Sequence, residues 1–178
     1  MYHCGLSAKA DYGPSSTSAL CTPSVLVKYW GYDPDVIKFL YRENFSLREW
    51  TAILDAELQA SRPVYYSGWS PTSGHAFLCD GADGDGLYHI NWGWSGWSNG
   101  YFDITVLNYD YSGTESATAP TDGYNHSCNM IVGIMPDNGV TDAPLIVTPL
   151  LTAIENEEVG CELLTTERAD TSGSFKLR

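Results

Sequence analysis

Gly74-His75-Ala76-Phe77-Leu78-Cys79-Asp80-Gly81 is followed, after a short Gly/Asp segment, by Leu87-Tyr88-His89-Ile90-Asn91-Trp92-Gly93-Trp94. An imidazole takes a proton from a thiol only when the correct ring nitrogen faces it, so a second group must hydrogen-bond the other nitrogen and fix the ring. A carboxamide does this without adding charge, and indoles around the pair exclude the water that would compete for the bond. His75, Asn91, Trp92 and Trp94 supply those types in that order. The chemistry they could do is the general-base half of nucleophilic catalysis by a cysteine.

Two strands must position these groups. On the first arm His75, Phe77 and Cys79 share one face and Ala76 and Leu78 the other. The segment Ala82-Asp83-Gly84-Asp85-Gly86 reads as the turn. On the second arm Leu87, His89 and Asn91 share a face. Pairing Cys79 with Leu87 puts His75 directly opposite Asn91, with Cβ atoms about 4.5–5.5 Å apart. The clasp requires both side chains on one side of the sheet, and a one-residue slip abolishes it.

The neighbouring elements are marked by their caps. Asp11-Tyr12-Gly13-Pro14-Ser15-Ser16-Thr17-Ser18 reads as a turn-rich loop. Thr22 is an N-cap with Pro23 at the first helical position; Val25, Leu26, Tyr29 and Trp30 follow at helical spacing, and Gly31 ends the pattern. Ser46 and Glu49 make a capping box ahead of the stripe Leu47, Trp50, Ile53, Leu54 and Leu58, which Arg62-Pro63 stops. Val64-Tyr65-Tyr66 and residues 101–106 have strand composition. Residues 68–73 and 93–100 read as loops, residues 108–127 as a long polar loop, and residues 129–135 as a closing buried strand.

Composition narrows the function classes. The 178 residues suffice for one domain with a sizeable core, and 43% of them are hydrophobic. A formal net charge of −13 argues against nucleic acid as a partner. No apolar run approaches the roughly 20 residues a membrane span needs. The first residues lack the basic and apolar regions of a signal peptide. Five cysteines without a CxxC pair indicate no zinc ribbon or redox motif and read mostly as buried free thiols.

Four blocks go beyond spacing. They are Asp11-Tyr12-Gly13-Pro14-Ser15-Ser16-Thr17-Ser18, Pro63-Val64-Tyr65-Tyr66, Gly74-His75-Ala76-Phe77 with Asp80-Gly81-Ala82-Asp83-Gly84, and Tyr88-His89 with Asn91-Trp92-Gly93-Trp94. Together they resemble the streptopain-like (interpain-like) cysteine proteases, secreted bacterial enzymes, over residues 1–136. The resemblance implies an α+β papain-like fold, of which this chain holds mostly the antiparallel-sheet half. It implies a cysteine-type endopeptidase acting on peptide or protein substrates without a cofactor. Catalytic His75, Asn91 to orient it and Trp92 beside the pair follow from the same match, as do Ser18 and Gly74 lining the substrate cleft. Residues 94–100 and 108–127 match mobile segments near that cleft. Ser67 and Ser73 depart from the family pattern, which has glutamine and glycine there.

The family's nucleophile, in a Gly-Cys-Val-Ala-Thr-Ala-like run, has no counterpart in the chain. The expectation is a fragment, inactive alone, whose partner is an N-terminal half carrying that cysteine. Cys21, at a helix start whose dipole favours a thiolate, is the one candidate substitute. Cys79 sits too far along the strand from His75 for direct proton transfer. An uncovered cleft face, weak stability and self-association follow from a half-domain. Residues 137–178 read as a linker and the start of a truncated further domain. Asp80, Asp83 and Asp85 suggest a solvated turn rather than a calcium loop, because Trp94 stands where the closing Glu would be. His3-Cys4 and His126-Ser127-Cys128 show no further metal ligands, so no metal is expected. The alternative is a non-catalytic peptide- or glycan-binding module built on the six Trp and twelve Tyr.

Overall fold

The structure, a computed structural model, describes residues 2–14 and 16–139. Residues 140–178, nearly all of the expected linker and further domain, lie outside the described residues. The elements are α1 (Tyr2–Ser7), β1 (Asp11–Tyr12), β2 (Thr17–Ser18), α2 (Pro23–Trp30), β3 (Lys38–Tyr41), α3 (Leu47–Gln59), β4 (Val64–Trp69), β5 (Gly74–Ala82), β6 (Leu87–Asn91), β7 (Gly100–Asp103) and β8 (His126–Val132). Short 3-10 turns occupy Arg42–Asn44 and Gly113–Thr118. Strands β3 to β8 form one sheet in the order β3-β8-β4-β5-β6-β7, antiparallel throughout. Its few helices make the fold α+β.

The helices start and stop where side chains satisfy their orphan backbone groups. Thr22 Oγ1 accepts from the Val25 N–H, Pro23 fills the first turn, and Gly31 closes α2 in the left-handed conformation at φ 68°. Ser46 accepts from the Glu49 N–H while the Glu49 carboxylate takes the Ser46 N–H, a complete capping box for α3. From α3, Trp50 and Leu54 bury fully against the inner face of the sheet, where they meet Val64, Tyr66, Phe77, Ile90, Trp92 and Phe102. Side chains of this size each contribute about 1.5–3 kcal/mol by burial. Trp50 Nε1–H donates to the Tyr66 hydroxyl at 3.0 Å, so this buried pair satisfies itself within the core.

Strand limits differ from the sequence reading for local reasons. Strand β4 runs on to Trp69, because Gly68 and Trp69 pair with His75 and Gly74. Strand β7 stops at Asp103, whose carboxylate takes the Thr105 N–H and hydroxyl and turns the chain. Strand β8 starts earlier, at His126, and ends at Val132. Strand β3 and helix α1 carry no cap or long periodic run to announce them.

The segment from residue 2 to 30 is different in kind. Among its described residues only Gly5 is buried, and Tyr2, Leu6, Tyr12, Leu20, Tyr29 and Trp30 are exposed. The apolar stripe of α2 therefore has no full cover among the described residues.

Candidate active site

The hairpin of β5 and β6 forms, but in a different register from the expected one. Cys79 faces Ile90, three residues beyond Leu87, and Leu78 faces Asn91. The chain reverses within residues 83–86, where Gly84 and Gly86 adopt φ 86° and 101°. The Asp83 carboxylate accepts the N–H groups of Asp85 and Leu87 there, so the acidic turn satisfies itself. The tight reversal lengthens β5, and a bulge at Asp80 absorbs one residue.

An odd offset turns every side chain to the other face. His75 lies on the inner face with Phe77 and Cys79, whereas Asn91 lies on the outer face with Leu78. The direct His75–Asn91 clasp is thus corrected. Asn91 Oδ1 instead accepts from the Gly93 N–H at 3.0 Å.

The imidazole finds another holder. His75 Nε2 lies 2.8 Å from the Trp92 carbonyl oxygen. A carbonyl only accepts, so Nε2 carries the hydrogen and Nδ1 keeps a lone pair. Carrying the β5–β6 register onward brings Trp94 level with His75, and their rings stack at 4.7 Å. Tyr124 at 5.3 Å, Phe77 at 6.1 Å and Trp92 at 6.2 Å complete the surround. Burial among these rings pulls the His75 pKa below its ordinary value, partly offset by the bond to the carbonyl. Trp97 and Tyr109 extend the aromatic wall from Trp94, at 5.5 and 5.3 Å.

Tyr124 reaches the ring because Gly68, the cross-strand partner of His75, has no side chain. A Cβ at position 68 would collide with the Tyr124 carbonyl oxygen. Gly74 opens β5 beside His75, with the Trp69 indole 3.0–3.1 Å from where its Cβ would be. Ser18 lies in the β1–β2 hairpin, exposed and paired with Asp11. Ser67 donates to Asn129 Oδ1 on the outer face. A cavity of about 730 Å³ lies between α3 and the β5–β6 turn, lined by Asp55, Asp80 and Tyr88 but not by His75.

Three of the four described thiols are not prepared as nucleophiles. Burial raises the pKa of Cys21, Cys79 (to about 12) and Cys128, the opposite of the shift a thiolate needs. The activation expected of Cys21 at the helix start is not seen: its burial pushes the thiol pKa up. Cys4 is exposed on α1, and all four are free. Sequence reasoning missed the Trp92 carbonyl, because backbone groups carry no residue signature. It also missed Tyr124, which came inside a polar loop.

Comparisons with known proteins give the chain its family. The model of the Peptidase C10 family matches residues 1–102. Streptopain of Streptococcus pyogenes is 42% identical over 134 residues, which cover 74% of this chain and 33% of streptopain. The thiol protease/hemagglutinin PrtT of Porphyromonas gingivalis is 36% identical over 78% of this chain and 15% of its own length. The structure of active Prevotella intermedia interpain A, a cysteine protease, superposes with TM-score 0.62 at 32% identity, covering 74% of this chain and 53% of that one. The chain spans about a third of the curated streptopains' length. The fold is papain-like, and the chain belongs to the Peptidase C10 family of cysteine peptidases.

Proposed function

We propose that this chain supplies the histidine-bearing part of a cysteine endopeptidase. The observation that carries the reading is the bond between His75 Nε2–H and the Trp92 carbonyl, which leaves Nδ1 to exchange a proton with a thiol. The nucleophilic thiol comes from a segment outside the described residues, the N-terminal half of the catalytic domain. That half would cover the exposed apolar face of residues 2–30.

In the proposed cycle Nδ1 takes the thiol proton, giving a thiolate–imidazolium pair. The thiolate sulfur bonds to the peptide carbonyl carbon, and the imidazolium returns its proton to the leaving amine as the C–N bond breaks. Water, deprotonated by the same nitrogen, then cleaves the thioester and regenerates the thiol. Trp92 and Trp94 shield the ring from solvent. Gly74 and Ser18 line the path of the substrate. Asn91 orients the ring at one remove, through the peptide it holds: its side chain takes the Gly93 N–H, and the other end of that peptide is the Trp92 carbonyl. Export from the producing bacterium belongs to the same reading.

Casein hydrolysis tests it. The chain alone should be inert. Joined to the cysteine-bearing segment it should hydrolyse casein, and His75→Ala should then lower turnover by at least about a thousandfold. Turnover indifferent to His75→Ala, with peptide binding retained, would support a binding module instead.

A further inference from the structure

The loop between β6 and β7 closes on itself at the residue that holds His75. The last pair of the β6–β7 ladder is Ile90 with Gly100. Beyond it the Trp92 N–H donates to Asn99 Oδ1, at 3.1 Å. The loop between is tightly folded. Trp97 N–H donates to the Trp94 carbonyl and Asn99 N–H to the Gly96 carbonyl. Gly93, Ser95, Gly96 and Ser98 all have positive φ, two of them non-glycine residues at 55° and 56°. Such backbone persists only where its surroundings over-determine it.

We infer that Asn99 is a positioning residue for His75, acting through the backbone of Trp92. The peptide before Trp92 is held by Asn99, and the peptide after it by Asn91 through the Gly93 N–H. Fixing both peptides fixes φ and ψ of Trp92, hence the direction of its carbonyl. That carbonyl is the partner of His75 Nε2, and the same residue's indole stacks on the imidazole. Two of these bonds form a relay from the imidazole N–H through the Trp92–Gly93 peptide to Asn91, and the third, to Asn99, sets the plane from the other side. Of the rings facing His75, only Tyr124 can ionise, so no charge substitutes for the carbonyl.

The catalytic meaning rests on His75 being the general base, but the test does not. In the 178-residue chain, nitrogen-15 NMR reads the His75 titration and the solvent exchange of its Nε2 hydrogen whether or not any peptide is cleaved. Asn99→Ala should speed that exchange by about tenfold and lower the titration midpoint by about half a pH unit, because the bond favours the imidazolium. Asn99→Asp keeps an acceptor oxygen and should restore slow exchange. Asn99→Ser, too short to reach the Trp92 N–H, takes the place of Asn99→Ala should the latter not fold. Exchange and midpoint unchanged while the Trp92 amide loses its protection would overturn the inference.

Discussion

His75 shows how a catalytic side chain is set by groups that side-chain patterns do not show. Its residue type, its strand and its indole neighbours were all legible in the sequence. Its holder was not, because a main-chain carbonyl looks the same in every residue. Asn91 was placed opposite by a register that assumed a longer turn, whereas Gly84 and Gly86 allow a reversal within residues 83–86. The ring's burial makes an expectation about pH. Its folded-state pKa lies below the unfolded value near 6.5, so the unfolded chain binds more protons in that window. Stability contributed by neutral His75 is present above the unfolded pKa and falls as pH drops toward the folded one. Urea melts of the protein and of His75→Gln from pH 7 to 5 should show a shallower loss of stability in the variant.

At the scale of elements, caps and stripes announced α2 and α3, while β3 and α1 were too short to announce themselves. Long-range fits were hidden for a related reason: they depend on which strands become neighbours. Gly68 is one. Gly68→Ala should push the Tyr124 backbone off β4 and cost roughly 1–3 kcal/mol by overpacking, with the Tyr124 ring moving away from His75 in the aromatic NMR spectrum. Glu57 is another. It is buried on α3, accepts two bonds from Arg62 at 2.8 Å, and takes the Gly133 N–H at the end of β8. Removing it strands both a guanidinium and a backbone donor. Glu57→Ala should destabilise by about 3 kcal/mol in denaturant melts, and Arg62→Ala by a comparable amount, since it leaves the Glu57 carboxylate, 3% exposed, without its cation.

For the molecule as a whole, the sheet and α3 form a closed core while residues 2–30 offer aromatic and aliphatic groups to solvent. Composition could not foretell this division, because the same apolar stripe on α2 reads identically whether or not something covers it. The exposed face should drive self-association opposed by the net charge of −13. Sedimentation velocity should therefore show larger species growing as salt rises from about 0.05 to 0.5 M, where screening weakens the repulsion. Tyr29→Ser with Trp30→Ser should reduce them. A monomer at all salt concentrations would show that the face is stable uncovered.

The hold on His75 is most directly read from the hydrogen-bond scalar coupling between its ring Nε2–H and the carbonyl carbon of Trp92. A measurable coupling at neutral pH, with Nδ1 unprotonated, is the predicted result. A hydrogen on Nδ1, or no coupling to Trp92, would contradict it.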